Sequence, residues 1–129
     1  MATQRRVVVE AARKRRSPEL QAIRVLVLPD EDPDVSYLEE DGLADRKEAY
    51  RRGEFKPVII RADAEIVVDG ITQTIVSGGW IVESDAGDAY LLEVAGDEYG
   101  DLRRILKTLG VSTSELPNEV DPKWIEWRT

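Results

Sequence analysis

Asp30, Asp32 and Asp34, at alternate positions in the run DEDPD, have the opening spacing of a calcium loop, in which alternate oxygens converge on one hard cation. The rest of that pattern fails. Val35 stands where the turn needs glycine, Asp41 stands where a bidentate Glu closes the site, and Pro33 restricts the backbone between them. A solvated acidic turn is the expected state, and no metal ion or other cofactor is expected. Arg13, Lys14, Arg15 and Arg16 form a second cluster with chemical potential, since four adjacent cations neutralise phosphates or dock on an acidic partner. The competing reading of that run is a solvated helix end, where cations suit the dipole.

Ser77-Gly78-Gly79-Trp80 has a glycine pair but lacks the lysine and the full spacing of a phosphate loop, and it lies between strand-like runs. A hairpin turn is the expectation there. Among the tyrosines, Tyr50 and Tyr99 fall at helical core spacing. Trp124 and Trp127 lie in a proline-interrupted stretch near the C-terminus, and two readings stay open. The favoured one folds them back over the domain; the other uses them to grip a partner.

The chain has no His and no Cys. That removes the commonest general base, the commonest transition-metal ligand, thiolate sites and disulfides. No catalytic residue is nominated. A carboxylate or Mg²⁺-dependent enzyme built on Asp30, Glu31 or Asp32 is the third-ranked reading.

Charge is divided unevenly along the chain. The net charge is −8, yet residues 1–24 hold seven basic residues against two acidic ones, whereas residues 25–129 hold eleven against twenty-four. A basic arm on an acidic body is thus expected, an asymmetry that speaks of partners more than of fold. No stretch approaches the roughly 18 consecutive apolar residues of a membrane span, and the N-terminus has no signal-peptide pattern, so a cytoplasmic location is expected.

The elements that must position these groups read as one α+β domain in a chain of 129 residues. Residues 1–18 form the basic arm or a short helix, 19–111 the domain, and 112–129 a tail. The apolar run from Leu20 to Leu28 is a buried strand. Ser36 and Glu39 have capping-box spacing ahead of a short or broken helix over 36–52, with Leu43, Lys47 and Tyr50 on one face and Gly53 as its stop. Residues 55–83 read as a strand meander, with Asp69-Gly70 a strong hairpin turn and Gly78-Gly79 a looser one. Within it, Ala62, Ala64, Ile66 and Val68 alternate with Asp63, Glu65, Val67 and Asp69, which predicts one apolar face and one wet, mostly charged face. A long amphipathic helix over 85–109 follows, capped by Ser84, with Leu92, Ala95, Tyr99, Leu102, Leu106 and Leu109 as its buried stripe. The fold expected is an antiparallel sheet of about four strands with that helix across one face.

The stretch from Leu28 to Leu109 resembles a recurrent pattern in uncharacterised small proteins of phages and other bacterial mobile elements. It is carried by LPDEDPDVSYLEE, DRKEAYRRGEF, IRADAEI, QTIVSGGW, IVESD and YLLEV followed by the amphipathic helix, about two thirds of the chain. The resemblance implies a genomic setting and brings no activity, cofactor or catalytic residue with it. The leading functional expectation is a non-enzymatic acidic module that binds a basic site on a host protein, with an accessory or anti-defence role. Its expected contact residues are Asp30, Glu31, Asp32, Asp34, Glu39, Glu40, Trp124 and Trp127. The alternative is a small nucleic-acid-associated protein that uses Arg13, Lys14, Arg15 and Arg16.

Overall fold

A long β-branched and apolar run over 57–68 lets one strand carry most of the pairing in this protein. The computed structural model describes residues 18–129. In chain order the elements are β1 (Glu19–Pro29), a 3₁₀ turn (Ser36–Glu39), α1 (Ala44–Arg51), β2 (Pro57–Val68), β3 (Ile71–Val76), β4 (Trp80–Glu83), α2 (Asp88–Thr108), a second 3₁₀ turn (Pro122–Trp124) and β5 (Ile125–Trp127). The sheet runs β3-β2-β1-β5, and β4 also pairs with β2. All pairings are antiparallel except β5 on β1, which is parallel. The architecture is therefore the expected α+β one, with a fifth strand that the sequence reading left in the tail.

Asp69 and Gly70 make the tight β2–β3 turn with φ of 51° and 80°, the positive values that a type I′ turn requires at both positions. The glycine pair behaves differently from the expectation. β3 pairs with the C-terminal half of β2 and β4 with its N-terminal half, so Ser77-Gly78-Gly79 is a break between two collinear strands and not a hairpin turn. The reason is that β2 outruns β3 and leaves a free length of the same edge, which β4 fills. Gly79 has φ +82°, and a Cβ there would meet Ile59 Cγ2 at 3.1 Å, so the break needs glycine at this position.

The core lies between the sheet and α2. Val25 and Val27 of β1 and Val58, Ile60, Ala62, Ala64 and Ile66 of β2 follow the strand period of two. They pack with Val82 against Leu91, Val94, Ala95, Leu102 and Leu106. Asp63 breaks the expected alternation of dry and wet faces, because it is buried although it points away from the core. Arg61 lies beside it on the same face, with Nε donating to Oδ1 at 2.9 Å and a second nitrogen to Oδ2 at 3.2 Å. Glu65, further along that face, accepts from Arg24 at 2.5 Å. The charged side of β2 is thus a lattice of ion pairs.

Helix α2 starts later than the sequence indicated. Ser84 does not cap it; its hydroxyl accepts from the Lys56 N–H at 3.0 Å, so it ties β4 to the chain entering β2. The residue preceding the helix is Gly87, with no side-chain cap. Of the expected stripe, Leu92 and Leu109 are exposed, and Leu91, Val94 and Val111 take the inward places. The cause at the C-terminus is a Schellman turn: Gly110 adopts φ +82°, its N–H bonds Lys107 O, and the Val111 N–H bonds Leu106 O. The chain reverses there, leaving Leu109 outside and tucking Val111 under the helix.

The segment 36–52 is broken, as expected, but its capping box does not form. Ser36 and Glu39 sit in the 3₁₀ turn, whose preceding residue Val35 makes no side-chain cap, and α1 begins only at Ala44. Gly53, at φ +74°, ends α1. Leu38, Ala49 and Phe55 form a second small core, with Val35 and Tyr50 packed on it. Leu43 and Lys47 are only partly buried, so Ala49 and not the expected Leu43/Lys47 row is the inward position of this short helix. No helix among the described residues is long and apolar enough to cross a membrane.

Two leucines three residues apart therefore face opposite fates. Leu106→Ala is expected to cost about 2–5 kcal/mol through the cavity it leaves, whereas Leu109→Ala should stay within about 0.5 kcal/mol. Denaturant melts of the two variants check this, and equal losses would contradict the helix register.

Candidate functional site

The acidic loop offers its carboxylates to its own backbone. Asp30 Oδ1 accepts from the Asp32 N–H at 3.3 Å and Asp34 Oδ1 from the Ser36 N–H at 3.0 Å, the local bonds that aspartates make in turns. The Ser36 contact holds the Asp34 carboxyl below its ordinary range. Glu39 accepts from Lys47 Nζ at 2.6 Å, and that bond likewise keeps its carboxyl low. Glu31, Asp32, Asp34, Glu39 and Glu40 are all exposed. Among the described residues no group of three His, Cys, Asp or Glu side chains is placed to share a metal ion.

The two tryptophans separate. Trp124 stacks at a tilt on Tyr99, ring centroids 5.6 Å apart, and the Tyr99 hydroxyl donates to Pro117 O at 2.6 Å. Trp127 lies in β5 opposite Val27 and remains half exposed beside Leu92. Among the described residues no hydrogen bond or ring contact joins either tryptophan to the acidic loop. Arg13, Lys14, Arg15 and Arg16, together with the rest of the expected N-terminal arm or helix, lie outside the described residues, apart from Pro18.

A guanidinium fixes the 3₁₀ turn and α1 to the end of the sheet. Arg46 donates to both oxygens of Asp85, at 2.9 and 2.8 Å, and to Glu83 at 3.1 Å, while its carbon lies 3.9 Å from the centre of the Phe55 ring. This bidentate, stacked geometry is one that Lys could not reproduce. It holds the Asp85 carboxyl low. The Tyr37 hydroxyl donates to the other oxygen of Glu83 at 2.7 Å. Partial burial, then Glu83, pushes the Tyr37 phenol up to about 12.

The most chemically distinctive surface lies elsewhere, along α2. Tyr90, Glu93, Asp97 and Asp101 recur at helical spacings of three and four, so they form one stripe beside the buried one. Trp80 opens β4 opposite Ile60, on the same side of the sheet as α2. Together with Val94 and Glu98 these residues line a groove of about 340 Å³. Trp80 is 59% exposed and Tyr90 44%. Glu98 is buried at the groove's base, where its Oε1 accepts from Ser77 Oγ at 3.1 Å. Asp101 is paired with Arg104, whereas Glu93 and Asp97 are exposed and have no cationic partner among the described residues. Aromatic rings beside carboxylates are groups that can attract a cation, the rings by their quadrupole and the carboxylates by ion pairing.

None of the groove residues is among the contact residues expected from the sequence. The acidic spacing at 93, 97 and 101 was legible as a helical row, but its pairing with Trp80 depends on where β4 docks. No protein-family model, curated protein or solved structure matches this chain.

Because the loop aspartates already serve their own backbone, millimolar Ca²⁺ or Mg²⁺ is expected to leave the melting temperature unchanged. A saturable rise that disappears in Asp32→Ala would reverse this. For Tyr37 the folded phenol ionises above its ordinary value of 10.0, so its contribution is complete below that pH and fades as pH climbs towards about 12. Absorbance titration of phenolate should show late ionisation near pH 12 whose amplitude falls in Tyr37→Phe, the buried Tyr99 phenol also being held above its ordinary value.

Proposed function

We propose that this protein is a binding module whose working surface is the groove of Trp80, Tyr90, Glu93 and Asp97, and whose partner is a protein presenting exposed Lys or Arg. The observation that carries this reading is the juxtaposition of two exposed aromatic rings with two unneutralised carboxylates around one concave surface. A Lys or Arg side chain set over Trp80 gains cation–π attraction, about 0.5–1 kcal/mol at exposed sites and more when desolvated, and its charge is met by the carboxylates. Long-range charge supports the same partner. The net charge of −8, concentrated after residue 24, steers a basic surface towards the groove and speeds encounter at low salt.

In the mobile-element setting implied by the sequence resemblance, such a module occupies a basic site on a host protein, including one that otherwise holds nucleic acid. The module needs no catalytic group for that task. Asp30 to Glu40 then form part of the surrounding acidic field and not the contact itself.

The test is retrieval of binding proteins from a bacterial lysate by the full chain, with and without nuclease, beside the variant Glu93→Gln/Asp97→Asn. The expected result is a nuclease-resistant basic protein whose association slows as salt rises, and whose affinity drops roughly ten- to a hundredfold in the double variant. Sub-micromolar binding to duplex DNA at physiological salt, abolished when Arg13, Lys14, Arg15 and Arg16 are replaced by Ala, would overturn the reading in favour of a nucleic-acid role.

A further inference from the structure

The outer edge of β3 is an open pairing surface that leads into the groove. β3 pairs with β2 on one side and with no strand on the other among the described residues. Its sequence, Ile71-Thr72-Gln73-Thr74-Ile75-Val76, has no charge and no proline in a chain whose charged fraction is 34%. Five of its six residues are exposed, including Ile71 at 63% and Val76 at 43%. Natural sheets normally blunt such an edge with Lys, Pro or a bulge, and none is present here.

The hairpin fixes which backbone groups are free. In a two-residue turn the flanking residues, Val68 and Ile71, are the hydrogen-bonded pair, and bonding then alternates along the ladder. Thr72, Thr74 and Val76 therefore direct their N–H and C=O groups away from β2. The same alternation places Ser77 as a bonded residue, and its N–H does reach Ala62 O at 2.9 Å. A strand laid on this edge would send alternate side chains to the α2 side of the sheet. Continuing past Ser77, which is tied to Glu98 at 3.1 Å, it would arrive at Trp80 and the acidic row.

Charge selects the occupant. A second copy pairing edge to edge would bring together two acidic rows on two bodies of net charge −8, which repel. A basic segment meets no such penalty. We infer that an extended, Lys- or Arg-bearing segment of a partner protein adds as a strand to the β3 edge through Thr72, Thr74 and Val76, and delivers its cations to Trp80, Glu93 and Asp97. This rests on the groove reading above and adds the mode of attachment, in which main-chain bonds supply affinity and alternate side chains supply selectivity.

The test uses the full ¹⁵N-labelled chain and a synthetic decapeptide of alternating Lys and Thr, with an alternating Glu and Thr decapeptide as control. The Lys peptide should give saturable amide shifts at Thr72, Thr74 and Val76, and the Glu peptide none. Thr74→Pro removes an outward N–H without removing a bond to β2, so it should weaken binding about tenfold or more while α2 resonances stay in place. If those resonances collapse, Thr72→Pro provides the same test at a second outward position. Glu93→Gln/Asp97→Asn should weaken binding in parallel. Binding that survives the proline variants but is lost in the carboxylate variant would overturn strand addition and leave the groove reading intact. Absence of any saturable shift with the Lys peptide would overturn both. A dimer of the free chain that Thr74→Pro dissociates would assign the edge to a second copy and so overturn the inference.

Discussion

Ala62 sits where β2 passes from one neighbour to the next, and its N–H would be left without a strand partner if Ser77 were not there. The Ser77 hydroxyl accepts that N–H at 2.9 Å and donates to Glu98, while the Ser77 N–H bonds Ala62 O. An unpaired buried amide costs about 1–3 kcal/mol, so a break in the ladder at the centre of the sheet is tolerable only with such a repair. The consequences spread outward. The break lets β4 occupy the free half of the β2 edge, β4 carries Trp80 onto the α2 side, and the Glu98 bond fastens α2 to that same edge. The groove exists because one serine closes a gap between two strands.

On the opposite side of the sheet no described helix covers β2, yet Asp63 is buried. Its bidentate partner Arg61 and the neighbouring Arg24–Glu65 pair satisfy the charges across the surface, as Arg128 and Glu126 do on β5. A buried carboxylate deprived of its cation is strongly destabilising, whereas the intact pair adds little net stability. The two sides of the sheet thus differ in kind: apolar packing against α2 on one, and on the other charges paired within β2 and, through Arg24 and Glu65, between β1 and β2.

Arg46 plays a comparable role at the sheet's end. The 3₁₀ turn and α1 share only a small core of Leu38, Ala49 and Phe55, and Arg46 joins that core to Glu83 and Asp85 through stacking and a charged fork. Each of these ion pairs is partly solvated and individually modest. Their convergence on one planar group gives the acidic loop a fixed position relative to β4.

Local chemistry determined a great deal. The apolar run of β1, the period of two in β2, the Asp69-Gly70 turn, the stop at Gly53 and the amphipathic character of α2 all follow from neighbouring residues, and each was legible because its cause lies within a few positions. The failures share a different cause. Ser36 and Ser84 have the side chains of caps but found other partners or none, Leu109 was displaced by the reversal at Gly110, and Asp63 was buried by residues on the same sheet face. The short β5 run, Ile125 to Trp127, carries almost no strand signal, and it pairs only because β1 leaves an edge open. So it is with the groove. The sequence by itself holds Glu93, Asp97 and Asp101 at the spacing of one helix face and Trp80 after a glycine pair; only the tertiary structure decided that Trp80 meets Glu93 and Asp97, because that meeting depends on β4 sharing the β2 edge with β3, a long-range pairing that no local pattern encodes.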